Sequence, residues 1–493
     1  MSGGFGIIDY FVVTIVTVLC GALLVRSPKK LLIFLPTFLT IDFFIPFGTQ
    51  LTPYRIIPIM IFIWLVFSRM FFADRRYNPW IVLFILSIIA SLSFALYMGD
   101  AGTRPVLRVA HYLGLTALFI FVCRMVRTPV DFESGVWGIF LAGLIHASYA
   151  AYQIVASRVG LPFRGIVYGD SGAGFAVSAG DGLIRVNGLA DEPKRLGYIL
   201  LCAAIVALLY LARSLKGGRI AAFWPIKAKD WTPFTLGMIF ILMLIMSLMT
   251  FSGSYILALG LTCATAVFLY AKRAVLILGS LALTASVLLV IAPDRFSGIT
   301  AAVTDISESR IMEVEQGIEA ANVYRQEFYV QDYLAGNPSS LVLSVGMGRY
   351  NTVFSQKYGR GVGLTGNGDV IPINSQIYEI GFDIGIFGLF ILYIGGAILA
   401  LRIRRYGITG AALCTMMLFM LFQSMLISNL QLLAVVAGLC AAFVSLRERQ
   451  MPTGSNAVRI QKVMSIQRQG AGHTRRRKII LGSARYAREN KNF

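Results

Sequence analysis

The chain consists of apolar runs of about 17 to 22 residues that alternate with short clusters of Lys and Arg. An apolar helix of about 20 residues spans a hydrocarbon core of ~30 Å. Apolar and aromatic residue types make up 57% of the chain and charged residues only 14%, whereas roughly a quarter of the residues in ordinary globular proteins are charged. The excess of apolar surface has to face lipid. The sequence therefore predicts an all-α, polytopic integral membrane protein.

We predict about thirteen transmembrane helices from the apolar runs. Their ranges are 7–25, 31–47, 56–72, 79–98, 107–124, 135–156, 196–213, 234–251, 255–271, 274–292, 377–401, 408–427 and 430–446. Together with their loops they form a transmembrane domain over residues 1–446, followed by a basic tail, 447–493, that we expect to be disordered in the cytoplasm.

The distribution of charge predicts the orientation of these spans. If alternate loops are assigned to opposite sides, most of the 44 Lys and Arg residues fall on one side and most of the 24 Asp and Glu residues on the other. Basic loops remain in the cytoplasm, so the N-terminus is predicted to be periplasmic and the C-terminus cytoplasmic. The net charge of +20 then reflects topology and contact with membrane lipids, and nucleic-acid binding is not predicted.

Two outward segments are much longer than the other turns, and long loops are often functional. Residues 157–195 are rich in Gly and are expected to have little regular structure. Residues 293–376 contain an amphipathic pattern that predicts a helix of about thirty residues on the outer surface, ended by Gly336 and Pro338.

The cysteines offer neither a disulfide framework nor a metal site. All 6 Cys residues lie inside apolar runs, and no Cys/His spacing typical of a metal site is present. We therefore predict neither a metal nor a cofactor.

Polar residues at the outer ends of the spans are candidates for a binding site. Arg104, Arg108 and His111 share one face of the fifth span, where the arginines either hold a phosphate group or extend to the membrane interface. On the sixth span, His146, Tyr149 and Gln153 form a stripe, for which hydrogen bonding between helices is the favoured interpretation.

The string IRVNGLADEP, residues 184–193, lies at the outer entrance of the seventh span. Arg185 there is suited to a phosphate or diphosphate. Asp191 and Glu192 precede Pro193, so they either act in catalysis or stabilise the start of the following helix. In the second long loop, Arg325 has no acidic residue at helical spacing, which makes it either an anion-binding residue or a solvated one.

The segment after the second loop places Gln376, Glu379 and Asp383 on one helical face, where a carboxylate can act as a general base. Gly381, Gly385 and Gly388 follow the small-x-x-x-small spacing, which we interpret as close packing between helices.

With these segments assembled, the sequence resembles the superfamily of O-antigen ligases and O-antigen polymerases, over most of residues 31–446. The resemblance is carried by LTPYRIIPIMIFIWL (51–65), IRVNGLADEP (184–193), MTFSGSYILAL (249–259), GMGRYN (346–351) and INSQIYEIGFDIGIFG (373–388). It implies a glycosyltransferase of the bacterial inner membrane, GT-C-like in fold, that acts at the periplasmic face on undecaprenyl-diphosphate-linked oligosaccharide. A polysaccharide chain-length regulator is an implied partner.

Departures from the family pattern favour its polymerase branch, for O-antigen or exopolysaccharide biosynthesis. Gly253 stands where the serine-arginine-glycine turn has arginine, and Ile373 stands where ligases have a histidine before the asparagine that Asn374 matches. Polymerases carry an arginine followed eleven residues later by a glycine in each large loop, and Arg158 and Arg325 fit that spacing.

The resemblance implies inverting glycosyl transfer without a cofactor. We predict that Arg185, Arg325, Arg158 and Arg108 bind the diphosphate, because fixed positive charge stabilises the leaving group. Glu192, Asp191 or Glu379 is the predicted base. The alternatives are a ligase that moves the glycan to another acceptor, and a glycolipid flippase or other transporter.

Overall fold

The computed structural model of this chain describes residues 5–43, 45–47, 49–71, 78–99, 103–161, 163, 186–190, 193–216, 232–250, 253–270, 326–359, 376–426 and 430–450.

The described chain is almost entirely helical. The helices are α1 (Phe5–Arg26), α2 (Pro28–Thr40), α3 (Pro53–Phe67), α4 (Asn78–Tyr97), α5 (Thr103–Met125), α6 (Pro129–Val159), α7 (Pro193–Leu215), α8 (Pro233–Leu248), α9 (Gly253–Tyr270), α10 (Gln326–Gly336), α11 (Ser339–Leu343), α12 (Tyr350–Tyr358), α13 (Gln376–Leu389), α14 (Gly395–Ile403), α15 (Gly407–Leu426) and α16 (Leu430–Gln450). A π-helical turn, Phe390–Ile394, joins α13 to α14.

Eight membrane-crossing segments are present in the described chain, judged by the length and composition of the helices. They are Asp9–Arg26, Pro79–Tyr97, Thr103–Met125, Pro129–Val159, Lys194–Leu215, Gln376–Ile403, Gly407–Ser424 and Leu430–Arg449. Three shorter apolar helices accompany them, Pro53–Phe67, Pro233–Leu248 and Tyr255–Thr265. The prediction of a helical, multi-pass membrane protein is confirmed. The predicted span 274–292 lies outside the described residues.

The second predicted span is only partly helical. We expected a helix over 31–47, but α2 ends at Thr40, and the chain continues into an antiparallel hairpin of β1 (Ile45–Phe47) and β2 (Thr49–Leu51). The backbone N–H of Asp42 donates to the carbonyl of Leu189 at 2.9 Å and not to a carbonyl of the preceding helix. Pro46 has no N–H to continue a helical ladder. Hydrophobicity alone therefore extended this span too far.

The core of the bundle lies where α6 packs against α2 and α7, and where α5 packs against α3 and α16. Gly143 lets α6 and α7 approach closely, since a Cβ added there would lie 2.0 Å from the Cβ of Ala203. Trp137, Phe140 and Tyr210 fill the adjacent space, with ring centroids 5.2 to 6.1 Å apart. Small residues at contacts and large rings between them are typical of helix packing in membranes.

Polar contacts mark the two ends of the bundle. At one end Lys29 pairs with Asp131, and Arg213 pairs with Glu133 at 2.8 Å. Arg402 pairs with Glu448 on the same side of these helices. The opposite end carries Asp42, Arg108, Arg195 and the first turn of α13, and we call it the site end. Helix α16 continues to Gln450, a few residues beyond the predicted boundary at 446, and residues 451–493 lie outside the described chain.

Candidate functional site

Two carboxylates and one arginine form a buried cluster at the site end. Arg108 on α5 pairs with Glu379 on α13, and its Nε lies 3.8 Å from Asp383 Oδ2. Side-chain exposure is 24% for Arg108, 5% for Glu379 and 0% for Asp383. We call these three residues the carboxylate cluster. With one positive and two negative groups, it has an excess of negative charge when both acids are ionised.

Asp383 is held by groups from two other elements. Tyr112 on α5 donates its hydroxyl to Asp383 Oδ2 at 2.9 Å, and the backbone N–H of Gly348 donates to Oδ1, also at 2.9 Å. Charge-assisted bonds of this kind are stronger than neutral ones. Because both oxygens are engaged and the side chain is fully buried, Asp383 serves to fix its neighbours in place.

Glu379 is held by two side chains, one on each carboxylate oxygen. The side-chain amide of Gln376 donates to Glu379 Oε2 at 3.0 Å, and Arg108 contacts the other oxygen. Gln376, Glu379 and Asp383 share a buried face of α13, so the predicted alignment of these three residues is confirmed.

Tyr350, the first residue of α12, contacts Arg108 of the carboxylate cluster. Arg108 Nη2 donates to the Tyr350 hydroxyl at 3.2 Å, and the guanidinium also lies 5.9 Å from the centroid of the Tyr350 ring. Burial, followed by the nearby Glu379 carboxylate, raises the pKa of Tyr350 well above its usual value. Its hydroxyl therefore stays protonated. The Arg108 side chain is directed towards the two acids. Its binding of a phosphate group and its extension to the membrane interface, the two alternatives drawn from the sequence, both stay predictions.

Helix α13 is broken directly after the cluster. Gly385 has φ +69°, and a Cβ there would lie 2.8 Å from the carbonyl oxygen of Val342. The predicted close packing at Gly385 is confirmed, because Val342 belongs to the short helix α11, but the break in the helix was not predicted. Gly381 also packs closely against α11, where its partner is Leu341.

The carbonyls released by this break have partners outside the helix. The N–H of Val345 donates to the carbonyl of Phe382 at 3.0 Å, and the hydroxyl of Ser91 on α4 donates to the carbonyl of Asp383. Ser91 also lies 3.1 Å from the hydroxyl of Ser344. The irregular backbone beside the cluster is thus hydrogen-bonded to protein, as a segment within a membrane requires.

A second polar centre lies nearby on α3 and α7. The guanidinium carbons of Arg55 and Arg195 lie 5.6 and 5.7 Å from the centroid of the Tyr54 ring. Arg195 is 3.6 Å from Asp42. We call Arg55 and Arg195 the arginine pair. Arg55 lies in the first turn of α3 and Arg108 in the second turn of α5, and these two helices pack together, so both centres are at the site end.

The described part of the IRVNGLADEP string, residues 186–190, folds against α6. Gln153 Oε1 accepts the N–H groups of Asn187 and Gly188, at 3.2 and 2.9 Å, and Gln153 Nε2 donates to Asn187 Oδ1 at 2.6 Å. His146 Nδ1 accepts the N–H of Leu189, so its Nε2 donates to Thr40 on α2 at 3.0 Å. The predicted hydrogen bonding between helices is confirmed for His146, whereas Gln153 bonds to a loop and not to a helix.

The predicted site residues have different outcomes. Arg185, Asp191, Glu192 and Arg325 lie outside the described residues. Arg158 is exposed in the last turn of α6. Of the predicted set, Arg108 and Glu379 are brought together.

Sequence reasoning missed several residues of the site end. They are Tyr54, Arg55, Tyr112, Arg195, Gly348 and Tyr350. Arg195 lies two residues after the IRVNGLADEP string, and Tyr112 is four residues after Arg108 on the same helix face. These two spacings could have indicated Arg195 and Tyr112 as site residues. Tyr350 and Gly348 are brought to the site only by the tertiary fold.

The chemistry available at this end consists of carboxylates, guanidinium groups and tyrosine hydroxyls. Among the described residues, no group of three or more His, Cys, Asp and Glu is placed to hold a metal ion. No protein-family model and no curated protein matches the sequence of this chain.

Proposed function

We propose that this chain is a membrane glycosyltransferase that transfers a glycan from undecaprenyl diphosphate onto an acceptor repeat unit, and thus acts as a polysaccharide polymerase. The observation that supports this most is that two polar centres of different charge lie at the same end of the bundle. One centre has an excess of carboxylate, and the other carries two arginines around a tyrosine. In glycosyl transfer from a diphosphate, a carboxylate accepts the proton of the attacking hydroxyl, and guanidinium groups stabilise the leaving diphosphate.

The arginine pair is the better candidate for the diphosphate. Arg55 and Arg195 lie in the first turns of α3 and α7, and helix N-termini favour anions. Guanidinium groups match phosphate oxygens geometrically. Arg185 and Arg325 remain proposed contributors, whereas Arg108 is engaged with two acids and is assigned to hold them.

Glu379 is the proposed base. In the reaction, the acceptor hydroxyl oxygen forms a bond to the anomeric carbon, the bond from that carbon to the diphosphate oxygen breaks, and the electron pair leaves with the diphosphate. Glu379 receives the hydroxyl proton. A carboxylate-rich cluster suits this role, because it accepts hydrogen bonds from sugar hydroxyls and repels the leaving diphosphate.

The proposal includes the predicted topology. Thirteen spans, a periplasmic N-terminus and a cytoplasmic C-terminus in a bacterial inner membrane place the site end at the periplasm. The long loops 157–195 and 293–376 then lie on the same side as the site. Labelling of loop residues in intact spheroplasts checks this orientation.

The test uses purified protein in liposomes with undecaprenyl-diphosphate-linked oligosaccharide. We expect release of undecaprenyl diphosphate together with a ladder of lengthened glycans. Glu379→Gln is expected to lower the rate about 10²- to 10⁴-fold. Arg195→Gln and Arg185→Ala are each expected to lower it about a hundredfold or more.

Two matched variants at the opposite end serve as controls. Glu448→Gln and Arg402→Gln remove the same charges from an exposed pair, and the rate should be unchanged. Full activity in Glu379→Gln and Arg195→Gln would contradict the assignment of these residues. Products that appear only when a different acceptor is added would identify a ligase, and movement of intact glycolipid without diphosphate release would identify a transporter.

A further inference from the structure

The segment between α10 and α12 enters and leaves the bundle from the same side. Helices α10 and α12 contact each other, since the Tyr358 hydroxyl donates to Asp332 at 2.6 Å and lies 3.2 Å from the carbonyl oxygen of Tyr329. Between them, α11 and the turn 344–349 pack against α4 and α13. The chain therefore dips between two membrane-crossing segments and returns.

The depth of this dip can be read from α4. Ser344 lies 3.1 Å from Ser91, and the N–H of Met347 donates to the carbonyl of Ser91 at 3.4 Å. The crossing segment of α4 ends at Tyr97, six residues after Ser91. At 1.5 Å per residue, Ser91 is about 9 Å inside that end.

Helix α13 gives a second, independent measure. The carbonyl of Val342 lies beside Gly385, within the crossing segment Gln376–Ile403. Gly385 is eighteen residues before Ile403, or roughly 27 Å along a helix, inside a hydrocarbon core of ~30 Å. On both helices, the residues that contact α11 and the turn after it lie inside the crossing segments and not at their ends.

The last turn of α11 and the crossing segment beside it both expose apolar side chains. Leu343 is 76% exposed and Val342 46%, and the next turns of the crossing segment expose Phe387 by 71% and Phe390 by 51%. The backbone of the turn is satisfied within the protein: the N–H of Val345 bonds to the carbonyl of Phe382, and the N–H of Gly346 bonds to the Ser344 hydroxyl at 2.8 Å. Irregular backbone is tolerated at membrane depth only under that condition.

We infer that residues 337–349 form a re-entrant element whose Val342 and Leu343 side chains contact the acyl chains of the membrane leaflet at the site end. The same element carries Gly348, whose N–H binds Asp383. The carboxylate cluster is therefore built against a lipid-contacting segment, so a lipid-linked molecule in that leaflet lies beside it. This inference is independent of glycosyl transfer.

The test compares two single-cysteine additions in full-length protein reconstituted in liposomes. Leu343→Cys places a thiol on the proposed lipid face, and Gln356→Cys places one on the exposed side of α12. The unsubstituted protein gives the background from its 6 cysteines. Both positions are exposed, so neither change disturbs packing, and Val342→Cys is the substitute if Leu343→Cys does not fold.

We expect a charged, impermeant maleimide to label Leu343→Cys at least about tenfold more slowly than Gln356→Cys, because thiolate formation needs water. A bimane attached at Leu343→Cys should be quenched by lipids with a nitroxide on the acyl chain more than by a water-soluble nitroxide. Equal labelling rates would overturn the inference. Slow labelling without acyl-chain quenching would also overturn it, since protein rather than lipid would then cover this face.

Discussion

Removal of the Arg108 charge should be among the most destabilising single changes at the site end. Arg108→Met retains an aliphatic stem but leaves Glu379 and Asp383 as two neighbouring acids, with side-chain exposures of 5% and 0%. Loss of one partner from a buried ion pair costs about 3–5 kcal/mol, because the remaining charge is uncompensated. The bond to the Tyr350 hydroxyl is lost as well. We therefore expect the free energy of unfolding to fall by about 3–5 kcal/mol.

A double-mutant cycle in detergent micelles measures this coupling. Arg108→Met, Glu379→Gln and the double variant are unfolded with SDS and followed by circular dichroism. Contacting residues couple by about 0.5–3 kcal/mol, so the double variant should be less destabilised than the sum of the two single variants. Neutralising Glu379 relieves part of the repulsion that Arg108→Met creates.

The exposed pair of Arg402 and Glu448 gives the matched control. Its side chains are 58% and 24% exposed, and solvent screening limits such a pair to about 0–1 kcal/mol. Arg402→Met should therefore have little effect on unfolding. An equal cost for Arg108→Met and Arg402→Met would refute the reasoning, as would strict additivity in the cycle.

Three further predictions concern the surroundings of the site. Gly385→Ala should destabilise the protein by roughly 1–3 kcal/mol or more, because φ is +69° there and a side chain is strained at such a φ. Gly395→Ala is the control, since an added Cβ there meets no atom within 4 Å, and it should not destabilise the protein. SDS unfolding compares the two variants. Gln153→Ala leaves two buried loop N–H groups unpaired and should cost about 1–3 kcal/mol in the same assay. Hydrogen bonding from Tyr358 lowers the pKa of Asp332 below its usual value of 3.8. The stabilisation from this contact is therefore present above pH 3.8 and is lost as the pH falls through the lowered pKa. Carboxyl NMR titration should show a higher pKa for Asp332 in Tyr358→Phe.

The failures of sequence reasoning have a common cause. Hydrophobic run length extended the second span through Pro46, although α2 stops at Thr40. Glycine spacing correctly predicted close packing at Gly385, but it did not predict that the backbone leaves the helix there. In both places a contact from another segment competes with the helix. The carbonyl of Leu189 accepts the N–H of Asp42, and Val345 and Ser91 donate to the carbonyls of Phe382 and Asp383 beside Gly385. Local patterns contain no information about such partners.

The sequence by itself determined that the chain crosses a membrane many times as helices, because apolar run length and sparse charge leave no other fold. It also determined that Gln376, Glu379 and Asp383 share a helix face, since helical spacing is a local property. Only the tertiary structure decided that Arg108 turns towards these acids and that Tyr350 and Gly348 complete their surroundings. The contacts of Arg108 join segments more than two hundred residues apart in the chain, and burial rather than sequence spacing makes the pairing of these charges obligatory.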